Sequence, residues 1–283
     1  FFMDSRSVRH FVGQVFGFAD ERTLPKYARQ RFDRWFTRRK ECSVPRRGKV
    51  ILWDDTFVRY HEPHIGQAAV AVLEAAGFAV LLLGGRKCCG RPAFSVGNLT
   101  EAENLGRHNL ALLAAAGGSE PVIFLEPSCF SMFAEDYREL NLPDAAAIAG
   151  RCFLFEDFIG QLLERHPDAI RFKPRNERIA IHAHCHAKAL SEPAAMARLA
   201  ARLPGRDVTL LDTGCCGMAG AFGMLKSKYE LSLKVAEPLI RQITRQPYGT
   251  TTVVSGTSCR HQVQHLATVR TRHMAEVLAD ALL

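Results

Sequence analysis

Residues 78–90 read FAVLLLGGRKCCG, and residues 207–223 read DVTLLDTGCCGMAGAFG. In both stretches an apolar run of the length of a buried β-strand leads into a glycine-rich turn that contains Cys-Cys-Gly. Glycine supplies the tight turns and the close backbone approach that such a loop needs. A strand that leads twice into the same turn predicts a structural unit that occurs twice in the chain.

The rest of the chain repeats in the same order around these two stretches. The offsets are nearly constant, since 127 residues separate Cys88 from Cys215 and 130 separate Cys129 from Cys259. The predicted elements of the first repeat are strands at 49–56, 78–83 and 121–128, which alternate with helices at 66–77, 100–117 and 153–166. Those of the second repeat are strands at 178–185, 207–212 and 251–258, which alternate with helices at 193–203, 227–243 and 273–283.

This alternation predicts the fold class. Strands that alternate with helices form parallel sheets covered by helices, so we expect an α/β protein with two duplicated parallel-sheet half-domains. The predicted organisation is a basic helical linker or docking segment at 1–48, a first cysteine-rich repeat at 49–173 and a second at 174–283. Functional sites of such sheets form at the carboxyl ends of the strands, where most of the nine cysteines fall.

The net charge of +8 is concentrated in the N-terminal segment. Residues 1–48 carry 12 Lys and Arg against 5 Asp and Glu, whereas the rest of the chain has a net charge of +1. The stretch at 22–40 interleaves arginines with aromatic residues, which is typical of a basic amphipathic helix. We interpret it either as a linker whose aromatic side chains pack on the main body, or as a docking face for an acidic partner or an anionic membrane. Because no RNA- or DNA-binding motif accompanies it, nucleic acid is not an expected partner.

Composition argues against several other classes of protein. No apolar run approaches the roughly 20 residues of a membrane helix, so no transmembrane segment is expected. No signal peptide is visible at the N-terminus. Nine cysteines without an export signal favour a reducing, cytoplasmic compartment, where clustered thiols are more often metal ligands or redox groups than disulfides.

The second repeat carries four cysteines that the fold should bring together, namely Cys185, Cys215, Cys216 and Cys259. A structural zinc site usually takes pairs of cysteines two to four residues apart. Adjacent cysteines suit a polynuclear cluster, in which neighbouring sulfurs bind different irons. The glycines of the loop let backbone N–H groups approach such a cluster. The pattern favours an iron–sulfur cluster. The alternatives are zinc, a dithiol or vicinal disulfide, and buried structural cysteines.

The first repeat keeps only three of these thiols, because Thr56 stands where the alignment places Cys185. The three are Cys88, Cys89 and Cys129, and the candidate oxygen ligands beside them are Asp54, Asp55 and Glu126. Three thiolates could hold a cluster with an open iron, a divalent metal or nothing, so we expect a weaker second centre. Cys42 and Cys152 match nothing in the repeat and are expected to be ordinary cysteines.

The phrases EPSC, HCHAKAL, DTGCCGMAGAFG and GTSCRHQ resemble the cysteine-rich CCG domain. This domain occurs in duplicate in the B subunit of heterodisulfide reductase, the C subunit of anaerobic glycerol-3-phosphate dehydrogenase and lactate utilisation protein A. The phrases look most like the C-terminal region of FAD-linked oxidoreductases that carry a ferredoxin-like module. The similarity covers about residues 20–283.

The resemblance implies an iron–sulfur cluster that works in electron transfer. It also implies that FAD and a ferredoxin-like module lie on partner domains or subunits. The expected location is the cytoplasm, with peripheral contact of the basic segment at the inner face of a membrane as the alternative to its packing on the main body. The family pattern is a Cys, then Cys-Cys-Gly, then Cys-x-x-Cys. This chain departs from it, since Glu126 and Gly256 stand at the first position of Cys-x-x-Cys. We therefore expect a four-thiolate cluster of the [4Fe-4S] type in the second repeat rather than five-thiolate ligation.

Histidines surround the cysteines of the second repeat. The run HAHCH places His182, His184 and His186 around Cys185, and His261 lies further along the chain. If the strand stays extended, the three histidines share one face while Cys185 points to the other. Each of His184, His186 and His261 is a candidate to replace a missing thiolate or relay protons, with packing as the alternative. The cations that could offset the charge of a thiolate-bound cluster are Lys188 and Arg260.

The leading hypothesis is an iron–sulfur electron-transfer module of an FAD-linked 2-hydroxy-acid dehydrogenase, inactive on the hydroxy acid by itself. Two alternatives stay open. One is a reductase that cleaves a disulfide or quinone-like acceptor at an open-coordinate cluster. The other is a zinc-bound platform that docks partner domains through residues 20–47. The sequence has no dinucleotide-binding or phosphate-binding glycine loop, which disfavours a nucleotide enzyme.

Overall fold

The structure, a computed structural model, describes residues 5–40 and 45–283, so Cys42 lies outside the described residues. Within these ranges the strands are β1 (Lys49–Trp53), β2 (Ala79–Leu81), β3 (Val122–Phe124), β4 (Cys152–Leu154), β5 (Glu177–His182), β6 (Arg206–Leu210), β7 (Thr251–Val254) and β8 (Thr271–Arg272).

Helices connect and cover these strands. They are α1 (Arg6–Phe16), α2 (Phe32–Arg38), α3 (Thr56–Tyr60), α4 (Pro63–Ala75), α5 (Arg91–Ser95), α6 (Leu99–Ala115), α7 (Pro127–Ser131), α8 (Tyr137–Glu139), α9 (Ala145–Ala149), α10 (Phe155–Arg165), α11 (Cys185–Leu190), α12 (Pro193–Ala201), α13 (Tyr229–Thr244), α14 (Thr257–Ala267) and α15 (Met274–Asp280). A π-helical turn at Met132–Asp136 links α7 to α8. Among the described helices, none is long and apolar enough to cross a membrane.

The strands form two four-stranded sheets with the same topology. The first sheet has the order β2-β1-β3-β4 and the second the order β6-β5-β7-β8, and every neighbouring pair is parallel. The second order is the first one shifted by four strands, so the duplication in sequence is a duplication of structure. The predicted α/β fold with two parallel-sheet half-domains is confirmed.

The central strands β1 and β3 of the first sheet are almost wholly apolar because both faces of that sheet are buried. In β1, Val50 and Leu52 face one core, while Ile51 and Trp53 face another. Strands of parallel sheets covered by helices on both faces have this composition. This arrangement explains why the strands appear in the sequence as continuous apolar runs rather than as alternating patterns.

The two half-domains share one core. Helices α4, α10, α12 and α15 contribute buried side chains to a cluster that also contains the inner faces of both sheets. Within this layer α4 packs on α15, and α10 packs on α12. The outer faces are covered separately, by α6 on the first sheet and by α13 on the second. A common helical layer fixes the two repeats against each other.

The basic helix expected over residues 22–40 is confined to α2. Pro25 lacks the N–H that a helix interior needs, which disfavours helix before α2. Arg22 instead is buried against the second repeat, where it donates to Gly223 O at 2.9 Å and to Gln262 Oε1 at 2.6 Å. Phe32 is buried in the shared core, with Trp35 packed against the same core. Phe32, Trp35 and Phe36 thus pack on the main body, whereas Tyr27 is 80% exposed, and the docking role of the segment stays a prediction.

Two edge strands and most of the shorter helices were not predicted from the sequence. Strand β4 precedes α10 within a stretch expected to be wholly helical, and β8 has only two residues. Helices α11 and α14 begin where the sequence predicted the ends of strands, so Cys185 and Cys259 lie in first helical turns. Short elements with polar sequences carry little periodicity, which is why the pattern missed them.

Candidate metal centre

Four thiols of the second repeat meet at the carboxyl edge of the second sheet. Cys215 and Cys216 lie in the loop after β6, Cys185 begins α11, and Cys259 lies in the first turn of α14. Their side chains form a continuous chain of contacts, from Cys185 to Cys215, from Cys215 to Cys216 and from Cys216 to Cys259. The fold therefore brings together all four second-repeat cysteines that the sequence singled out. We call them the second centre.

The thiols of the second centre differ in acidity. The contacts from the Cys185 and Cys216 thiols, with the Gly217 N–H donating to the sulfur at 3.3 Å, hold the pKa of Cys215 well below its usual value. The same contacts with Cys215 raise the pKa of Cys185 and Cys216, and burial adds to both shifts. The thiolate is the form that binds metal, and the contacts among these thiols favour a negative charge on one sulfur of the group.

Each cysteine pair is followed by a glycine in the same conformation. The φ angle is 83° at Gly90 and 80° at Gly217, in the left-handed region that favours glycine. A Cβ at Gly217 would overlap the carbonyl oxygen of Ser232 in α13, and one at Gly90 would lie 3.3 Å from the backbone of Ala102 in α6. Each Cys-Cys-Gly turn is therefore seated against the next long helix, which fixes where its thiols point.

Three thiols of the first repeat form a similar group, which we call the first centre. Cys88 contacts Cys89, and the sulfur of Cys89 lies 3.0 Å from that of Cys129. The pKa of Cys88 is raised by the contact with Cys89 and then by burial, and the contact with Cys129 raises that of Cys89. For Cys129 the contact with Cys89 acts to lower the pKa, but burial and the charge of Asp55 outweigh it.

Two of the three candidate oxygen ligands of the first centre are already engaged. Asp54 accepts hydrogen bonds from Arg59 at 2.6 and 2.8 Å and from Arg86 at 3.1 Å. Glu126 accepts from the N–H and hydroxyl of Ser128, and from the N–H of Thr257 at 2.8 Å. Asp54 therefore neutralises buried arginines, and Glu126 caps α7 together with α14 of the other repeat.

Asp55 differs from these two carboxylates. Its Oδ1 caps α3 by accepting from the N–H groups of Phe57 and Val58, whereas its Oδ2 is buried with no hydrogen-bond partner among the described residues. Burial and then the charge of Glu126 raise the pKa of Asp55 to about 7. The charge of Asp55 also acts to raise the pKa of Cys129. A buried carboxylate oxygen without a hydrogen-bond partner is costly, and a cation could satisfy it.

The histidines are not arranged along an extended strand, and that expectation is wrong. Strand β5 ends at His182, and His184 caps α11 by accepting from the N–H of His186 at 3.1 Å. The rings of His184 and His186 stack with their centroids 5.2 Å apart. The ligand atoms of His184, Cys185 and His186 lie within 4.8 Å of one another. His261 lies elsewhere, with its ring edge-on to Phe57 of the first repeat at 6.3 Å.

The imidazoles near the second centre are neutral at pH 7. Burial lowers the pKa of His182 to about 3 and that of His186 to about 4, and it also lowers the pKa of His184. The Nδ1 of His182 lies 2.7 Å from the Thr213 hydroxyl. A neutral imidazole offers a lone pair, and the buried Nδ1 of His186 has no hydrogen-bond partner within the described part of the chain.

The imidazole of His184 fills the space beside Gly256. A Cβ added at Gly256 would overlap the Cδ2 atom of the His184 ring. Gly256 stands at the first position of the Cys-x-x-Cys pattern in the second repeat. Because glycine has no side chain, position 256 leaves the room that the ring of His184 occupies.

The two cations expected to offset cluster charge have partners of their own. Arg260 is buried and forms a double hydrogen bond with the carboxylate of Glu62, at 3.1 and 2.5 Å, so it joins the second repeat to the first. Lys188 donates to the carbonyl oxygen of Thr213, in the loop just before Cys215. Of the two, Lys188 fixes the cysteine loop directly, and Arg260 positions the start of α14.

Sequence reasoning missed two buried polar residues near these centres. Glu156, in the first turn of α10, accepts a hydrogen bond from the Ser255 hydroxyl. His273 caps α15, and its Nε2 lies 3.0 Å from the carbonyl oxygen of Leu125 in the first repeat. The capping box of His273 with Glu276 has a readable spacing, because the partner lies three residues later. Glu156 has no such signal, because acidic residues are common in exposed first turns.

These features define a class of protein: a duplicated parallel α/β unit, each copy with a Cys-Cys-Gly turn seated on a helix and a group of thiols at the sheet edge. The model of the CCG cysteine-rich domain matches residues 56–134 and 179–264, one match in each repeat. The chain belongs to this family, as the resemblance of its motifs predicted.

Curated relatives agree with this assignment. The chain is 28% identical to the C subunit of anaerobic glycerol-3-phosphate dehydrogenase from Escherichia coli (strain K12) over 280 residues, which is 98% of this chain and 70% of that protein. It is 30% identical to lactate utilization protein A of Bacillus velezensis over 189 residues, which is 62% of this chain and 75% of that protein. The chain is also 26% identical to lactate utilization protein A of Exiguobacterium sp. (strain ATCC BAA-1283 / AT1b) over 236 residues, which is 78% of this chain and 92% of that protein. The first of these relatives is a subunit of a dehydrogenase, and the other two are named for lactate utilization.

Proposed function

We propose that this chain is an iron–sulfur electron-transfer module of a flavin-linked oxidoreductase. The observation that carries the proposal is the second centre, where four thiols from three strand-end loops form a continuous chain of contacts. Its position at the carboxyl edge of a parallel sheet is where such folds carry their functional sites. The relation to a dehydrogenase subunit and to proteins named for lactate utilization supports the same function.

The donor set of the second centre fits an iron–sulfur cluster better than a zinc ion. Zinc sites usually pair cysteines across a loop of two to four residues, so that both sulfurs reach one ion. Cys215 and Cys216 are adjacent, and they contact different further thiols, Cys185 and Cys259. Neighbouring sulfurs that face different partners suit a cluster with several irons. We assign these four thiolates as the ligands of a [4Fe-4S] cluster.

The chain prepares this centre for an anionic ligand set. The Gly217 N–H donates to the sulfur of Cys215, and Lys188 holds the loop before it through Thr213. Cys259 lies in the first turn of α14, where the helix dipole favours negative charge. When bound, the cluster would supply one-electron oxidation and reduction at the edge of the second sheet.

We propose the first centre as a weaker metal site. Cys88, Cys89 and Cys129 supply three thiolates, and the Oδ2 atom of Asp55 supplies the fourth donor. A carboxylate is a harder ligand than a thiolate, and protons compete with metal for it near the pKa of about 7 that burial gives Asp55. The first centre is therefore expected to load less completely than the second.

The electron donor and acceptor are assigned to partners. The chain has no dinucleotide-binding loop, so FAD and a ferredoxin-like module would belong to partner domains or subunits. Two relatives are named for glycerol 3-phosphate and lactate, both hydroxyl-bearing anions, and we propose a 2-hydroxy acid as the substrate of the assembly in the cytoplasm. The N-terminal segment is the proposed docking face, because α1 exposes Phe11 and Phe16.

The test is metal and sulfide analysis of protein purified anaerobically, with EPR of the dithionite-reduced sample. We expect iron and sulfide in about equal amounts and an EPR signal that Cys215→Ser removes. Cys152→Ser is the matched control, because Cys152 is buried in β4 with its thiol donating to Ile148 O at 3.2 Å. This variant should keep both the iron and the signal.

Other outcomes would lead to the alternative functions. Zinc without sulfide in a sample reconstituted anaerobically with iron and sulfide would overturn the proposal in favour of a structural docking platform. Turnover of a disulfide or a quinone with reduced dyes, in the absence of any flavin partner, would show a reductase in its own right.

A further inference from the structure

A small cavity lies between the first turn of α10 and the loop that follows β7. Its polar lining includes Glu156 and Asp157 of α10, His184 and Ser255. Its volume is about 10 Å³, which is the space that one water molecule needs. His184 also borders the second centre, since its Nδ1 lies 3.8 Å from the sulfur of Cys185. Glu156 and His184 thus line the same cavity, and His184 in turn lies beside the second centre.

Glu156 is a buried carboxyl with one unpaired oxygen. The residue is 2% exposed, and its Oε1 accepts a hydrogen bond from the hydroxyl of Ser255, on the loop that leads to Cys259. Its Oε2 is buried and has no hydrogen-bond partner among the described residues. Burial of an unpaired carboxylate oxygen is costly, and a glutamine amide at this position would accept the Ser255 hydrogen bond without carrying the charge. A costly group of this kind points to a function that needs its proton.

Burial sets the acidity of Glu156 near neutral pH. It raises the pKa of this carboxyl to about 7, while the hydrogen bond from Ser255 opposes the shift. A carboxyl close to half protonation responds strongly to a change in nearby charge, because either of its two states is then accessible. Buried structural carboxylates whose hydrogen bonds are all satisfied do not have this property.

The titratable groups that face Glu156 do not hold it in one charge state. Asp157, next to it on α10, acts to raise its pKa, and Arg260 on α14 acts to lower it. His184, before α11, is kept neutral by burial, as is His273 before α15, whose ring lies 6.3 Å from that of Phe155. With Arg260 already paired to a different carboxylate, the negative charge of Glu156 has no dedicated counter-ion among these groups.

We propose that Glu156 is the proton acceptor that couples proton uptake to reduction of the second centre. This inference rests on the proposed function. One electron from the reduced flavin partner enters the centre, and one proton from solvent passes Asp157, which is half-buried, and binds to Oε2 of Glu156. Glu156 changes from a carboxylate to a neutral acid, so the buried region keeps its net charge. When the electron leaves for the acceptor, Glu156 returns the proton to solvent.

The physical reason is the cost of charge in a region of low dielectric constant. An electron added to a buried thiolate centre increases the local negative charge, and a second anion nearby raises that cost. Protonation of Glu156 removes the second anion at the moment the first one grows. The same coupling makes the reduced centre raise the proton affinity of Glu156, since the two effects are reciprocal.

The experiment measures the midpoint potential of the second centre as a function of pH. The full chain is reconstituted anaerobically, and the titration is followed by EPR from about pH 6 to about pH 9. In the wild type we expect a constant potential below the pKa of Glu156 and, above it, a fall that corresponds to one proton per electron. In Glu156→Gln the potential should stay constant across the whole range. Glu164→Gln, on the exposed face of the same helix, should behave as the wild type.

A second measurement follows the proton itself. Infrared difference spectra of reduced minus oxidised protein should show the carbonyl stretch of a protonated carboxylic acid, and Glu156→Gln should lack it. Equal pH slopes in the wild type and Glu156→Gln, or no slope in the wild type, would overturn the inference while leaving the cluster in place. Zinc without sulfide would overturn the proposed function itself, and the inference with it.

Discussion

The first and second centres occupy equivalent places in the two repeats but differ in how their ligand sets are completed. Both have a Cys-Cys pair in a turn seated on a helix and one cysteine in the helix after the third strand. The second centre adds Cys185 at the start of α11. In the first centre the corresponding Thr56 is exposed, and we propose the buried Asp55 before it as the fourth donor. The duplicated fold thus keeps the geometry of a site while the chemistry of one donor changes.

The residues just before four helices show the same divergence. Asp55 and His184 cap α3 and α11, and both side chains are buried. Glu126 caps α7, but its counterpart Gly256 has no side chain with which to cap α14. The second oxygen of Glu126 accepts from the Thr257 N–H and so replaces the missing cap across the repeat boundary. A position that the family pattern gives to cysteine has become a structural link between the two copies.

The largest effect expected from this comparison is on metal loading of the first centre. In a Cys215→Ser background, which removes the second centre, Asp55→Asn should abolish the metal bound at the first. Asparagine keeps an oxygen for the N–H groups of Phe57 and Val58, but its amide nitrogen cannot replace Oδ2 as a ligand. Iron, sulfide and zinc per chain provide the measurement, together with EPR.

The converse substitution sharpens the same test. Asp55→Cys should raise the metal content of the first centre, because a fourth thiolate is a softer ligand that suits iron–sulfur chemistry. Loss of the α3 cap would cost about 1 kcal/mol, which the protein should tolerate. Unchanged metal in Asp55→Asn would show that Asp55 is not a ligand and that the first centre depends on its three thiols alone.

Much of the fold could be predicted from the sequence because it follows from local patterns. The strands before each Cys-Cys-Gly turn and the long helices α6 and α13 have strong apolar signals. The order of strands and helices then requires parallel sheets, and the sheet edge gathers the cysteines. The edge strands β4 and β8 are too short for any periodic signal, and their pairing is decided by the neighbouring strand.

The candidate site could be predicted only in part, because its second layer depends on contacts between repeats. The thiol groups follow from their places at strand ends. By contrast, the hydrogen bond from Thr257 to Glu126 and the ion pair of Arg260 with Glu62 join residues that are more than a hundred positions apart. No local pattern encodes such contacts, since they arise from the packing of one repeat on the other.

A smaller effect, on the free energy of unfolding, is expected at Gly256, which stands where the first repeat has Glu126. Gly256→Ala places a methyl group against the buried ring of His184, so it should lower the free energy of unfolding by about 1–3 kcal/mol. His184→Ala removes the obstacle, and the double variant should lose less stability than the two single changes added together. Urea unfolding of all four proteins measures this coupling. Gly160→Ala in α10, where nothing lies within 4 Å of the added atom, should not destabilise.

Additive effects of Gly256→Ala and His184→Ala would contradict the shape argument. They would mean that His184 moves aside at no cost and that glycine at this position has another cause. A positive coupling would instead explain why a cysteine cannot simply be restored at Gly256, since its Cβ meets the same ring.

The smallest effect concerns the last helix of each repeat. Helix α10 begins without a side-chain cap, whereas α15 begins with the capping box of His273, whose neutral ring also donates to Leu125 O of the first repeat. Burial lowers the pKa of His273 to about 3, below the 6.5 of an unfolded chain. The folded state therefore resists protonation, and the contribution of His273 is present above pH 6.5 and is lost as pH falls towards 3.

His273→Asn tests this contribution, because asparagine can cap α15 but does not titrate. At pH above 7 the variant should be less stable by about 1–2 kcal/mol, since the hydrogen bond to Leu125 is lost. As the pH falls below 6.5, the wild type should lose up to about 1.4 kcal/mol per pH unit through this group, and the two proteins should converge. Urea unfolding at several pH values gives the difference, with exposed His166→Asn as the control. A difference that stays constant with pH would mean that His273 is protonated within the folded protein, and that its bond between the repeats is not the neutral contact described above.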